Sequence, residues 1–583
     1  MMKNFKKSTA IALCALLATS SAITLAGCNK GDNIVADGKT VNIRMGLGGN
    51  GVEWAYVLAD KFEEVYAAEG YKINILEPSV DISGNVVLTD MALGAKETGI
   101  DLYISSGFNS IDVFGESGDY GVLAEDIREI VYNQPAIGYD GVEESVPISS
   151  KIPEDLVKYS VDRHGKMYGF QYNETLGGLA VNTKKLAKYG LELPKTTNEL
   201  WECVETIYLG TDTVANSETS GIYPITYVSG SNGYVTTALN TWLAQYDFDE
   251  FQRFWSMQET DSDGVKTDMT ENGYDVFNTK AVEEMLTLAF QYMDIRIATK
   301  GSTTQNLDQA QAKIMQENTG AVFMFNGSWM MNEVKLNYKN QVDDITFINM
   351  PVVSALGTRL MGSGTTYNLS DETCEEILSY IIGMVDENKT IAEMISSVQT
   401  QFSVTLSEKV VGEIAAARGY AYTRGVEQIA VINKNAVAKE PAALFLRMMA
   451  SDDFAQTWLE TANSAPLYSK NVDMSSVTNE FVKASVNISL NDYHKAITGP
   501  RTLSGYRKEL GLNSTFTHTN HIPSAIYNQF GSGKNANSIF DGAGKKRTDV
   551  TAELYRTKAQ AMQKTEYEFA QGKWSAWKEN LTK

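Results

Sequence analysis

This chain has little of what most catalysis needs. Four histidines are spread over 583 residues, at His164, His494, His518 and His521, and no His-Glu-x-x-His run occurs. His518 and His521 have a metal-compatible spacing, yet neither a cysteine nor an acid stands near as a third ligand, so no zinc centre is expected. The stretch Asp261-Ser-Asp263-Gly264, with Asp268 beyond it, puts its glycine fourth where an EF-hand loop needs it sixth, and reads as a solvated loop. The run Gly46-Leu-Gly-Gly-Asn-Gly51 lacks both the dinucleotide-binding spacing and a phosphate-binding lysine. No nucleophile elbow is followed by an acid and a histidine in working order. These absences leave no metal and no cofactor to expect, and the chain reads as a non-enzyme. A glycoside hydrolase stays open as the alternative, because acids are plentiful and the separation of any catalytic pair is not written in the sequence.

Positive charge is short as well. Lysine and arginine number 50 against 72 acids, a net charge of −22, and an acidic surface repels nucleic acid and anionic lipid. No nucleic-acid partner is expected. Long apolar runs are absent after the amino terminus, which excludes a later membrane-spanning helix. The one such run, residues 9–26, follows Lys3, Lys6 and Lys7 and ends Leu25-Ala26-Gly27-Cys28. A basic segment, an apolar segment and small residues before a cysteine form the lipobox of a bacterial lipoprotein signal peptide, residues 1–27. Cleavage would free Cys28 for lipidation, with residues 28–39 as a polar tether. The expected place is the outer face of the cytoplasmic membrane, lipid-anchored. Of four cysteines, Cys14 leaves with the signal, while Cys203 and Cys374 fall on apolar faces of predicted helices and read as buried free thiols. A bridge between them is permitted by the compartment.

What is present is an alternation of strands and helices over a length that calls for two or more lobes. Residues 41–45, 71–76 and 100–104 read as strands with helical periodicity between them, the mark of an α/β lobe with a mostly parallel sheet. Ligands bind such sheets at loops beyond the carboxyl ends of the strands. Residues 165–182 read as a strand, a polar and aromatic turn at Gln171 to Glu174, and a second buried strand. A short helix from Thr183 is ended by Gly190, and a further helix is capped near Thr196 and Thr197. Residues 222–228 read as a strand, 352–424 as mostly helical, 426–432 as a strand, and 550–580 as a final helix carrying Trp574 and Trp577.

The order of pieces in residues 165–203 resembles the inter-lobe crossing of extracellular solute-binding proteins of ABC importers, the sugar-binding group in particular. Asn182 keeps that family's asparagine, whereas Val181 stands for its aromatic and Gln171 for its proline. The segment Gly320-Ala-Val-Phe-Met-Phe-Asn-Gly327-Ser-Trp329 resembles a second landmark of the family, and residues 344–351 the strand that follows it. The resemblance implies a two-lobed periplasmic-binding-protein-like α/β fold of type II with an interlobe hinge, here with a large helical insertion. Its expected parts are a first lobe in 40–176, a second in 177–320, and first-lobe returns in 321–351 and 425–450. The insertion is 352–424, and 451–583 is expected to return to the second lobe and end in helices. The jaws would be joined within 165–182 and again within 321–329.

The resemblance also implies a carbohydrate ligand, an oligosaccharide by the chain's length and aromatic content, with ABC permease subunits as partners and the protein a monomer. A receptor for peptides or other polar solutes is a further alternative. Sugars offer apolar C–H faces and rings of hydroxyls, which aromatic platforms and planar polar side chains bind. The candidate ligand residues are Asn50, Ser106, Phe108, Tyr172, Asn173, Glu174, Tyr227, Trp242, Asn326, Trp329, Tyr367 and Tyr422.

Overall fold

The computed structural model describes residues 34–582 except 95–97, 107, 109–110, 117, 153–160, 163, 211–220, 229–231, 300, 335–337, 339–343, 424–427, 499–506, 508–509, 513–515, 517, 519–521 and 528–550. Cys28, the signal segment and His521 lie outside the described residues. Among the described residues no helix is long and apolar enough to cross a membrane.

Each lobe is built on one sheet. The first lobe's sheet has the order Lys72–Ile75, Thr40–Met45, Leu102–Ser105, Ile429–Ile432, Phe170–Gln171. Its first three strands are parallel, and Ile429–Ile432 enters antiparallel. Successive side chains of a strand face opposite ways, and the apolar runs here feed a core on each face. Leu102, Ile104, Ala430 and Ile432 enter one buried cluster, while Tyr103, Ile429 and Val431 enter another. Asp101, 2% exposed, stitches this lobe together: its carboxylate accepts from Asn42 N and Nδ2 at 3.0 and 3.2 Å, and from Val437 N and Ala438 N at 2.8 and 3.0 Å.

The second sheet has the order Ile345–Ile348, Gly177–Asn182, Gly320–Gly327, Ile222–Thr226. Both Gly320–Gly327 and Ile345–Ile348 pair directly with Gly177–Asn182. Residues 321–351 are therefore not a return to the first lobe, and 321–329 is no crossing. The apolar run of Gly320–Gly327 announces a strand buried on both faces, but nothing in it names the sheet it joins. A second correction concerns the expected second-lobe stretch 451–583. Its helix Asp452–Ala462 packs on Glu53–Val65 of the first lobe, where Trp54, Phe454 and Trp458 meet with ring centroids 5.5 to 6.2 Å apart. Only from Glu480–Leu490 onward does the chain lie on the second lobe, that helix against Ile345–Ile348 and Ala552–Lys578 against Lys280–Tyr292. The chain thus passes between lobes at 172–176, between 348 and 429, and between 462 and 480.

Asn182 shows what the first crossing's asparagine does. Its Oδ1 accepts from Lys185 N at 2.9 Å, capping the helix Thr183–Ala187, while its Nδ2 donates to Ile314 O at 2.9 Å, one of the open carbonyls ending Leu307–Met315. Lys185 Nζ closes the same helix end, donating to Ile314 O at 3.1 Å and Ala321 O at 2.8 Å. Replacing Asn182 by alanine removes a cap and one of the two bonds that Ile314 O accepts. The expected cost is about 2 kcal/mol, read as an earlier urea midpoint for the second lobe with the first lobe's transition unmoved.

Residues 352–424 are helical as expected: Ala355–Met361, Asp371–Asp386, Ile391–Phe402 and Glu408–Gly419. Ser370, Thr390 and Ser407 cap the last three. They enclose a core of their own, with Cys374, Ile377, Leu378, Ile381 and Ile382 on the buried face of one helix. The group is fastened to the second lobe: Asn198 N donates to Ser354 Oγ at 2.9 Å, and Ser379 to Glu199. Cys203 and Cys374 are buried and unbridged, and burial pushes the Cys203 thiol up to about 12, which makes it inert.

Candidate ligand-binding site

The site is assembled where the 46–51 loop, leaving the carboxyl end of Thr40–Met45, meets the second lobe. Gly46 fits so closely that an added Cβ would stand 2.6 Å from Ile82 O. A Cβ at Gly48 would meet Gln428 Nε2 at 2.4 Å. Gln428 in turn accepts on Oε1 from Asn173 Nδ2 at 2.8 Å and from the Tyr172 hydroxyl at 3.4 Å. At Gly49 a Cβ would lie 3.5 Å from Trp329 Cβ and 3.9 Å from Glu333 Oε1. This one loop therefore touches the crossing segment and the far jaw together, and the lobes are shut onto each other.

Trp329 is held by its own neighbours. Its ring folds back over Gly327, where a Cβ would come within 2.1 Å of ring carbon Cζ3, so the glycine two residues earlier is required by the tryptophan. Tyr234 flanks it at 6.0 Å between centroids. Next to Gly49 in the loop, Asn50 is 5% exposed, and its Oδ1 has no hydrogen-bond partner among the described residues. A buried acceptor left open costs about 1–3 kcal/mol, and a ligand hydroxyl would meet it. Tyr172 stands against Trp54 at 5.1 Å and Trp458 at 5.6 Å, walling a pocket with Gly48, Ser105, Ser106 and Gln428. That pocket measures about 10 Å³, room for about one water. Its lining comes from the first lobe and the crossing residue Tyr172.

Six of the twelve sequence candidates meet at this junction or next to it: Asn50, Ser106, Tyr172, Asn173, Glu174 and Trp329. Glu174 is 8% exposed and gives its carboxylate to His494, whose Nε2 lies 3.2 Å from both oxygens, so it latches the crossing to residue 494 instead of facing the pocket. The other six lie elsewhere. Phe108 packs on Phe114 at 4.9 Å in the first lobe's core. Tyr227 and Trp242 are core residues of the second lobe, the former donating to Met293 O at 3.2 Å and the latter packed tilted on Tyr292 and edge-on to Phe325. Tyr422 joins the same core from the strand Tyr420–Thr423, and Asn326, fully buried in its strand, accepts from Gly327 N at 2.8 Å. Tyr367 belongs to the helical insertion, where its hydroxyl accepts from Ser407 N at 2.9 Å. Aromatic content alone does not separate a platform from a core ring. Gln428, which lines that pocket, is not among the candidates and carries no sequence signal beyond falling in the stretch 426–432 read as a strand; Trp54 lines it too, as a core ring 1% exposed.

The Asp261 cluster resolves as a turn, while the His518–His521 pair lies partly outside the described residues. Asp261 Oδ1 accepts from Asp263 N and Val265 N at 2.9 Å, closing the turn of a hairpin with Gly264 at φ +80°. Among the described residues no group of three or more potential ligands is placed to hold a metal ion.

A two-lobed body crossed by several connecting segments, with a glycine loop of one lobe set against a tryptophan of the other, is the build of a clamshell binding protein. The chain belongs to the bacterial extracellular solute-binding protein family, whose model matches residues 48–369. The family consists of binding proteins rather than enzymes, which removes the glycoside hydrolase alternative, and it works outside the cytoplasm. Among solved structures, a probable secreted solute-binding lipoprotein from Streptomyces coelicolor shares the fold with TM-score 0.51 and 12% identity over 90% of this chain and 99% of its own. A chitin oligosaccharide binding protein matches at TM-score 0.47 and 13% identity, over 91% of this chain and 99% of that one. The apo form of RafE from Streptococcus pneumoniae matches at 0.49 and 11%, over 93% and 98%. No curated protein matches in sequence.

Proposed function

We propose that the protein captures an extracellular carbohydrate between its lobes, an oligosaccharide, and delivers it to the permease subunits of an ABC importer while held to the membrane as a monomer through a lipid on Cys28. The observation that supports the ligand class is the pairing of Trp329 with the 46–51 loop, where the ring lies against Gly327 and Tyr234 and the loop that touches it also carries the open acceptor Asn50 Oδ1. A ring for C–H faces beside an unmet amide suits a hydroxylated guest. The lipobox supports the anchor, and the family supports the permease partner. Isothermal titration of the soluble chain against a panel of glycans graded in length, with a peptide panel beside it, tests the reading. Stoichiometric glycan binding without product release supports it; binding confined to peptides overturns the ligand class, and tightest binding to single sugars overturns the oligosaccharide.

The closed arrangement makes a further prediction. Leucine at Gly49 adds a side chain where only a Cβ fits ordinary contact with Trp329. It should wedge the jaws apart, seen as a larger radius of gyration in solution scattering with ligand present and roughly tenfold weaker binding, about 1.4 kcal/mol.

A further inference from the structure

A second cavity, of about 190 Å³, lies where the strand Ile345–Ile348, the helical insertion and the helix Glu480–Leu490 meet. That is space for about six waters. It shares no lining residue with the pocket beside Trp54 and Tyr172. Three side chains on its wall hold buried polar atoms with no partner among the described residues: Asn349 Oδ1, Arg418 NH1 and His494 Nδ1. Asn349 is 6% and Arg418 7% exposed, and the His494 side chain is 7% exposed. Each is fixed by its remaining atoms. Asn349 Nδ2 donates to Arg418 O at 3.0 Å, and Arg418 grips Asp386 through Nε and NH2 at 2.7 and 2.9 Å. Three such groups left open in one place are what a preformed site retains.

We propose that this cavity is a second binding site, taking a small neutral polyhydroxylated molecule, a polyol or a single sugar ring. The guanidinium offers a donor, the amide oxygen an acceptor, and the imidazole nitrogen one or the other by its tautomer; a hydroxyl group answers all three. Asp386 already balances the Arg418 charge, which disfavours an anion. Phe347, Ile348, Val385 and Ile488 supply apolar wall for C–H faces. A hydroxyl donated to His494 Nδ1 places the ring proton on Nε2, where it is donated to Glu174 in the first crossing. Occupancy is thereby felt at the hinge through one imidazole.

The inference needs no ligand between the lobes and does not rest on the carbohydrate reading. The test titrates the soluble chain with glycerol, myo-inositol and D-glucose in turn, and soaks crystals with each. The expected result is at least one probe bound against Arg418 and Asn349. Its affinity is retained in Trp329→Ala and falls at least tenfold in Asn349→Leu and in Ala484→Tyr, which fills the cavity. Circular dichroism and melting curves check that the variants fold. If either does not, Asn487→Trp, introduced from the exposed side of the same cavity, is the second plug. Failure of all three probes to bind, or binding that Trp329→Ala abolishes and the cavity variants leave alone, overturns the proposal.

Discussion

Alanine at Trp329 is expected to weaken glycan binding by roughly 30- to 150-fold, about 2–3 kcal/mol; the ring is 9% exposed and shares a buried cluster with Leu176, Tyr234 and Met330, so a melting curve of the variant is read beside the titration. Three features set the size. The ring lies against Gly327 and Tyr234, so little freedom is lost when a sugar stacks on it. It lies at the meeting of the two jaws, where a bound guest is cut off from water. It is also the residue that the 46–51 loop touches on closure, so its loss weakens the shut state as well as the contact. Phenylalanine keeps a face and should recover most of the loss. Titration of both variants against the tightest glycan decides the matter, and an unchanged alanine variant would remove Trp329 from the site.

The second large effect concerns stability. Removing the Asp101 carboxylate leaves three backbone donors without an acceptor inside the first lobe, those of Asn42 N, Val437 N and Ala438 N, and leaves Asn42 Nδ2 with Val35 O alone. An expected cost of about 4 kcal/mol for Asp101→Ala follows, since each stranded buried group carries a penalty of about 1–3 kcal/mol and relaxation recovers a share. Asparagine, which keeps one acceptor oxygen but adds two donors, should recover less than half. A two-lobed chain need not unfold in one step, so the measurement is hydrogen exchange. Amides of Thr40–Met45 and Leu102–Ser105 should exchange faster, and those of Gly177–Asn182 should keep their protection. Uniform loss across both sheets would show that the lobes unfold together.

Elements whose signal is local were legible in the sequence. The final helix, expected at 550–580, is Ala552–Lys578, and the apolar register of Cys374 with Ile377, Leu378, Ile381 and Ile382 is the buried face of Asp371–Asp386. Gly190 follows Thr183–Ala187 with φ +67°, as its place predicted. Partnership between distant segments was not legible. Nothing in residues 320–327 says that they pair with 177–182, and the Trp-containing helix at 452–462 has the same face whichever lobe it covers. The site divides along the same line. Tyr172, Asn173 and Trp329 stand out because short ordered motifs carry them, and they come to the junction of the lobes, Gly327 being bound to Trp329 by steric need. Trp242 and Tyr227 failed because a ring under a sheet and a ring over a sugar look alike in sequence. Gln428 reaches the pocket only through its hydrogen bonds to residues more than 250 positions away.

The bonds that join the four-helix group of 352–424 to Asn198 and Glu199 have a mechanical result. Those helices must swing as one piece with the jaw that carries Trp329, so they act as a lever whose outer end travels farther than the jaw itself for the same rotation. A membrane partner resting against that end would sense whether the clamshell is open or shut without ever touching the cargo.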